Sequence, residues 1–101
     1  MSRPVPTLVR YRAKPGGEAR LEELVRAHWP TIHALGLATD APARLWRAHD
    51  KRAGTDSLLE LFEWRTETSS DVAHQTPEVM ALWEPMGEVL ESLEITQLTP
   101  L

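Results

Sequence analysis

Cysteine is missing from all 101 residues, which excludes a disulfide framework, a thiolate nucleophile and a cysteine-held metal. Basic runs are missing too, and the formal net charge is -4. The cationic footprint that a nucleic-acid backbone requires is therefore absent. No apolar run approaches the roughly 20 residues of a membrane span. The opening MSRPVPTLVR lacks the apolar stretch of a secretory signal, and a cytoplasmic protein is the expectation. One residue type is plentiful: there are four tryptophans, whose large rigid faces suit a core, an interface or an aromatic-lined pocket. The length fits one domain, residues 1–101, burying roughly 65% of the surface its unfolded chain exposes.

Local patterns then divide the chain. Residues 1–6 hold two prolines and are expected to form a loose leader. Thr7 to Ala13 alternates as a strand and Lys14-Pro15-Gly16-Gly17 stops it. From Glu18 the pattern turns helical, with Leu21, Leu24, Val25, His28, Ile32 and Leu35 in one stripe and Gly36 as a C-terminal stop. A loop through Asp40 and Pro42 leads to a strand at Ala43 to His49, and DKRAGTD forms a hairpin connection to a third strand, Leu58 to Trp64. That strand has bulky apolar groups on both faces: Leu58, Phe62 and Trp64 with Glu60 on one, Leu59 and Leu61 with Glu63 on the other. A polar turn carrying His74 follows. Thr76 is placed to cap a second helix with its hydroxyl and Pro77 to open it. Val79, Leu82, Trp83, Met86, Val89, Leu90 and Leu93 make its apolar stripe. Pro30 and Pro85 lie inside the two helices, so both are expected to be kinked. Leu93 to Leu98 alternates as a closing strand.

The order is β-α-β-β-α-β, an α+β, ferredoxin-like arrangement with a four-stranded antiparallel sheet and two kinked helices on one face. The other face is left bare, and the strand parities place apolar residues on it, either Leu59 and Leu61 or Phe62 and Trp64. An exposed apolar sheet face is an association site, and a two-fold homodimer packing sheet on sheet is the economical way to cover it.

These residues resemble the antibiotic biosynthesis monooxygenase-like family of dimeric α+β barrels over nearly the whole chain, Thr7 to Leu98. The resemblance is carried by the strand ending Glu63-Trp64, a short polar connection, Ala73-His74, two residues, and a helix led by Pro77. It implies a homodimer of α+β barrel form and a small aromatic ligand held between helices and sheet. The reaction it implies is cofactor-independent monooxygenation, with no cofactor required. A haem-degrading branch pairs a strand tryptophan with an iron-ligating histidine, positions that correspond to Trp64 and His74. The asparagine used in both branches has no counterpart, because the chain contains no asparagine.

The candidate catalytic residues are His28 and His74, since an imidazole exchanges a proton near neutral pH. His28 sits within an apolar stripe, where a polar group needs a partner once buried; His74 stands at the entrance to the second helix. Each can equally be a structural, hydrogen-bonded histidine. Trp64, Phe62, Trp83 and Trp29 are candidates for walling a pocket, and equally for core or interface. Arg12, with Arg10, is expected to face Glu60 across neighbouring strands or to meet an anion in the pocket. Three readings follow: a catalytic chamber, a non-catalytic binding or structural homodimer, and haem binding through His74.

Overall fold

The computed structural model describes residues 3–101. Its elements are β1 (Val5–Ala13), α1 (Glu18–Ala34), β2 (Arg44–Asp50), β3 (Thr55–Trp64), α2 (Ser69–Ala73), α3 (Pro77–Val89) and β4 (Leu90–Gln97). The four strands form one antiparallel sheet in the order β2-β3-β1-β4. This is the expected α+β, ferredoxin-like arrangement.

Register decides which side chains meet the helices. Val5 pairs with Trp64, Thr7 with Phe62, Val9 with Glu60 and Tyr11 with Leu58. Directly opposed residues share a face, so these eight project together. Val9, Tyr11, Phe62 and Trp64 are buried with Leu21, Leu24, Val25 and Ile32 of α1 and with Val79 and Met86 of α3. The alternate residues, Leu8 opposite Leu61 and Arg10 opposite Leu59, occupy the helix-free face. Trp46 of β2 pairs with Leu59 and joins them. Of the two apolar sets that the parities left open, Leu59 and Leu61 are therefore the pair on the bare face. The same register overturns the expected pairing of Arg10 and Arg12 with Glu60. Arg10 projects from the opposite side of the sheet and donates from Nη1 to the Ser57 hydroxyl at 2.9 Å.

Several boundaries move. The first strand begins at Val5 rather than Thr7, because Val5 pairs with Trp64 and Leu98 N–H donates to the Pro6 carbonyl at 2.8 Å. Residues 3 and 4 are all that the structure describes of the expected leader outside that strand; Met1 and Ser2 lie outside the described residues. The second strand runs one residue later than expected, and the third starts at Thr55. The last starts at Leu90, so Leu90 and Leu93 belong to β4 and not to the helical stripe. The turn before His74 holds a five-residue helix, α2, that the polar composition concealed. Ser69 starts it by accepting the Thr66 N–H at 3.0 Å.

Thr76 does occupy the N-cap position of α3, yet its hydroxyl caps nothing there. It donates instead to the Val72 carbonyl at 2.7 Å, closing α2 and tying the two short segments together. Both longer helices run on through Pro30 and Pro85; a proline has no N–H for the carbonyl four residues back. Beside Pro30 the Thr31 hydroxyl donates to the Ala27 carbonyl at 2.8 Å.

The end of α1 is fixed by Gly36, whose φ of +75° suits a residue without a Cβ. Leu37 N–H donates to Ile32 O and Gly36 N–H to His33 O, the paired bonds of a Schellman stop. Arg65 then clamps this loop to the end of β3, donating to the Gly36 and Ala38 carbonyls at 3.0 and 3.2 Å. That clamp holds Trp64 in the core beside Ala38.

Candidate active site

His28 emerges from the buried stripe of α1 directly over the middle of the sheet. Its Nδ1 lies 3.0 Å from each carboxylate oxygen of Glu60. The Tyr11 hydroxyl donates to Oε1 of the same carboxylate at 2.6 Å. Glu60 is 0% exposed and His28 and Tyr11 3% each, so this arrangement lies in the core. Burial first, then the adjacent Glu60 charge and the bond to it, push the Tyr11 phenol well above its ordinary range. A carboxylate only accepts, so the network assigns the His28 ring proton to Nδ1. Its Nε2 is buried with no partner.

Three aromatic rings surround that imidazole. Phe62 and Trp64 meet it edge-on at centroid distances of 5.4 and 6.5 Å, and Trp83 lies tilted at 6.0 Å. Trp83 also touches His74, with centroids 4.8 Å apart. The indole thus stands between the two histidines. These five rings and that of Tyr11 line one cavity of about 330 Å³ between helices and sheet, whose exposed lining residues include His74, Gly87 of α3 and Leu93 and Ile95 of β4. Its walls are otherwise apolar, with Thr7, Ser70 and Gln97 as small polar points, and among the described residues no lysine, arginine, aspartate or glutamate lines it. The Gln97 amide stands opposite Thr7 on the neighbouring strand.

Five of the seven sequence candidates therefore converge: His28, His74, Phe62, Trp64 and Trp83. Trp29 and Arg12 do not. Trp29 follows His28 by one residue, about 100° round the helix, and stacks on His33 at 4.4 Å. Arg12 lies next to Tyr11 on an alternating strand, and its side chain borders a separate hollow near the β2–β3 hairpin. The other histidines have acidic partners at the surface. His33 Nε2 is 2.8 Å from Asp40 and His49 Nδ1 is 2.6 Å from Asp56. Among the described residues no group of three potential metal ligands is assembled.

Sequence reasoning missed Glu60 and Tyr11 as members of the site. The signal for Glu60 was present, since a carboxylate alternating with Phe62 and Trp64 on a helix-covered face must find a buried donor. Tyr11 gave no comparable signal, because its role depends on the β1–β3 register.

No protein-family model matches the chain, and no curated protein matches it. Solved structures do. PA3566 from Pseudomonas aeruginosa superposes with a TM-score of 0.74 at 21% identity, over 100% of this chain and 97% of that one. SnoaB, a cofactor-independent oxygenase from Streptomyces nogalater seen as an asparagine-to-alanine mutant, gives a TM-score of 0.73 at 14% identity, over 96% of this chain and 92% of that one. A protein from Bacteroides thetaiotaomicron, provisionally assigned as an antibiotic biosynthesis monooxygenase, gives 0.72 at 16% identity, over 98% and 90%. Coverage is nearly complete in both directions, and the chain has the fold of the antibiotic biosynthesis monooxygenase-like proteins.

Proposed function

We propose that the cavity binds a small, uncharged aromatic compound carrying an acidic hydroxyl or benzylic C–H, and that the protein oxygenates it without a cofactor. One observation carries this reading: a buried imidazole with a free Nε2 lines an apolar, aromatic-walled chamber open to solvent. The volume falls at the lower end of the roughly 300–1,000 Å³ of ligand pockets. The absence of any lining cation disfavours carboxylates and phosphates, which would be desolvated there without a counter-charge.

In this reading His28 Nε2 takes the substrate proton, leaving the bonding pair on the substrate as a delocalised anion. The edges of Phe62 and Trp64 and the indole of Trp83 hold the ring plane. Molecular oxygen is the oxidant. A reacting CH₂ loses two hydrogens and becomes C=O, while the second oxygen atom leaves as water. His74 stands at the mouth, where its exposed ring contacts the outer edge of Trp83 and meets the substrate as it enters. The fold shared with SnoaB, a cofactor-independent oxygenase, agrees with this chemistry.

Incubation with a panel of anthrones and hydroquinones, in air and under nitrogen, tests it. Oxygen-dependent turnover that His28→Ala lowers by about 10²-fold or more is the expected result. Turnover that survives in His28→Ala, or none with any substrate, leaves a non-catalytic binding protein in its place.

A further inference from the structure

Most buried side-chain polar atoms have a hydrogen-bond partner. In His28 one nitrogen has two carboxylate oxygens within 3.0 Å and the other has none. The partner is also an expensive one, because a buried carboxylate must be compensated by donors. Glu60 has them from two different elements: the imidazole N–H of α1 and the phenol of β1. We infer that Glu60, held in place by Tyr11, is the positioning residue of this site, keeping the ring proton on Nδ1 so that the bare Nε2 lone pair serves the cavity. The inference rests on the reading that His28 is the base.

The chemistry requires no further group. When the substrate O–H or C–H bond breaks, its electron pair stays on the substrate and its proton passes to Nε2. The resulting imidazolium still donates from Nδ1 to Glu60, whose negative charge offsets the new positive one. Nothing is oxidised in this step. Glu60 and Tyr11 act through His28.

Replacing Glu60 by Gln separates positioning from packing. The Tyr11 hydroxyl selects the amide oxygen at the Oε1 position, which turns the amide NH₂ toward His28. That NH₂ can only donate, so it competes with the amide oxygen, which also lies within reach of Nδ1, and together with the loss of negative charge it draws the ring proton toward Nε2, the wrong nitrogen. Nitrogen-15 NMR of protein labelled in its imidazole rings reads the tautomer directly. The wild-type protein should show His28 protonated at Nδ1 with Nε2 bare, and Glu60→Gln should raise the fraction protonated at Nε2. The double variant Glu60→Gln, Tyr11→Phe frees the amide to turn its oxygen toward Nδ1 and should restore the wild-type tautomer in part. A structural role alone would not produce that recovery. With a substrate from the panel above, kcat in Glu60→Gln should fall on the order of 10²–10⁴-fold with KM little changed.

A wild-type His28 protonated at Nε2 overturns the inference without any variant having to fold. A Glu60→Gln protein with unaltered tautomer and kcat also overturns it, even if His28→Ala is inactive and the oxygenase reading stands. Conversely, the expected tautomers with no turnover of any substrate remove the oxygenase reading and leave Glu60 only as the group that fixes the His28 tautomer.

Discussion

Tyr11 shows how one side chain ties stability to the site. Its hydroxyl lies 2.6 Å from Glu60 in a buried setting, and a hydrogen bond to a charged group contributes about 1.5–3 kcal/mol. Tyr11→Phe should lower the unfolding free energy by that amount in urea titrations. The same contact predicts an alkaline limit. An unfolded tyrosine releases its proton near pH 10, whereas burial and the Glu60 charge keep the folded phenol protonated to higher pH. Above about pH 10 the unfolded chain binds fewer protons than the folded one. The contribution is complete below that point and falls as pH climbs toward the folded value. Wild-type stability should therefore decline above about pH 10, and Tyr11→Phe should lose that part of the decline. Identical slopes in the two proteins would show that this phenol stays out of the alkaline transition.

At the scale of the elements, α3 and β4 form the mouth of the chamber, and Gly87 is its most adjustable point. A Cβ built there meets nothing within 4 Å, so alanine adds helix propensity without a clash. Gly87→Ala should raise stability by about 0.5–1 kcal/mol. Gly87→Phe should put a ring across the opening and weaken binding of an aromatic probe, measured by quenching of tryptophan fluorescence, while the circular dichroism spectrum stays native. Undiminished binding in Gly87→Phe would mean that ligands enter elsewhere. The apolar stripe of α1 and the alternation of β3 were legible in the sequence because each depends on local periodicity alone. The start of β4 was not, since Leu90 continues the helical stripe and only its pairing with Ala13 makes it a strand residue. Likewise α2 is hidden by serines and threonines whose side chains bond locally, a composition that reads as a turn. His28, Phe62 and Trp64 could be chosen as site residues from pattern. Glu60 and Tyr11 required the register, and Arg12 and Trp29 lie away from the chamber by a single step of alternation or helical rotation.

Across the whole molecule, the sheet presents two unlike faces. One is filled by the helices and the chamber. The other carries Leu8, Leu59 and Leu61, half-buried, with Trp46 40% exposed under the Arg44 guanidinium at 4.8 Å. Four strands about 4.8 Å apart and about 25 Å long give a surface of roughly 500 Å² in projection. With the relief of its side chains this approaches the roughly 800 Å² per partner of a stable interface. We propose that two copies meet across this face with two-fold symmetry, which places the chambers on the outside of the pair. Sedimentation velocity should then give a dimer for the wild-type chain and a monomer for Leu59→Lys, Leu61→Lys, since each ammonium would be desolvated across from the like-charged Arg10 or Arg44. Association stabilises the folded state by mass action. The wild-type melting temperature should therefore rise with protein concentration, while that of the double variant should be lower and independent of it. The His28 tautomer should be the same in both, because the substituted leucines project away from the chamber. A wild-type monomer with a concentration-independent melting temperature would refute the pairing and leave the chamber argument standing on the helix side of the sheet.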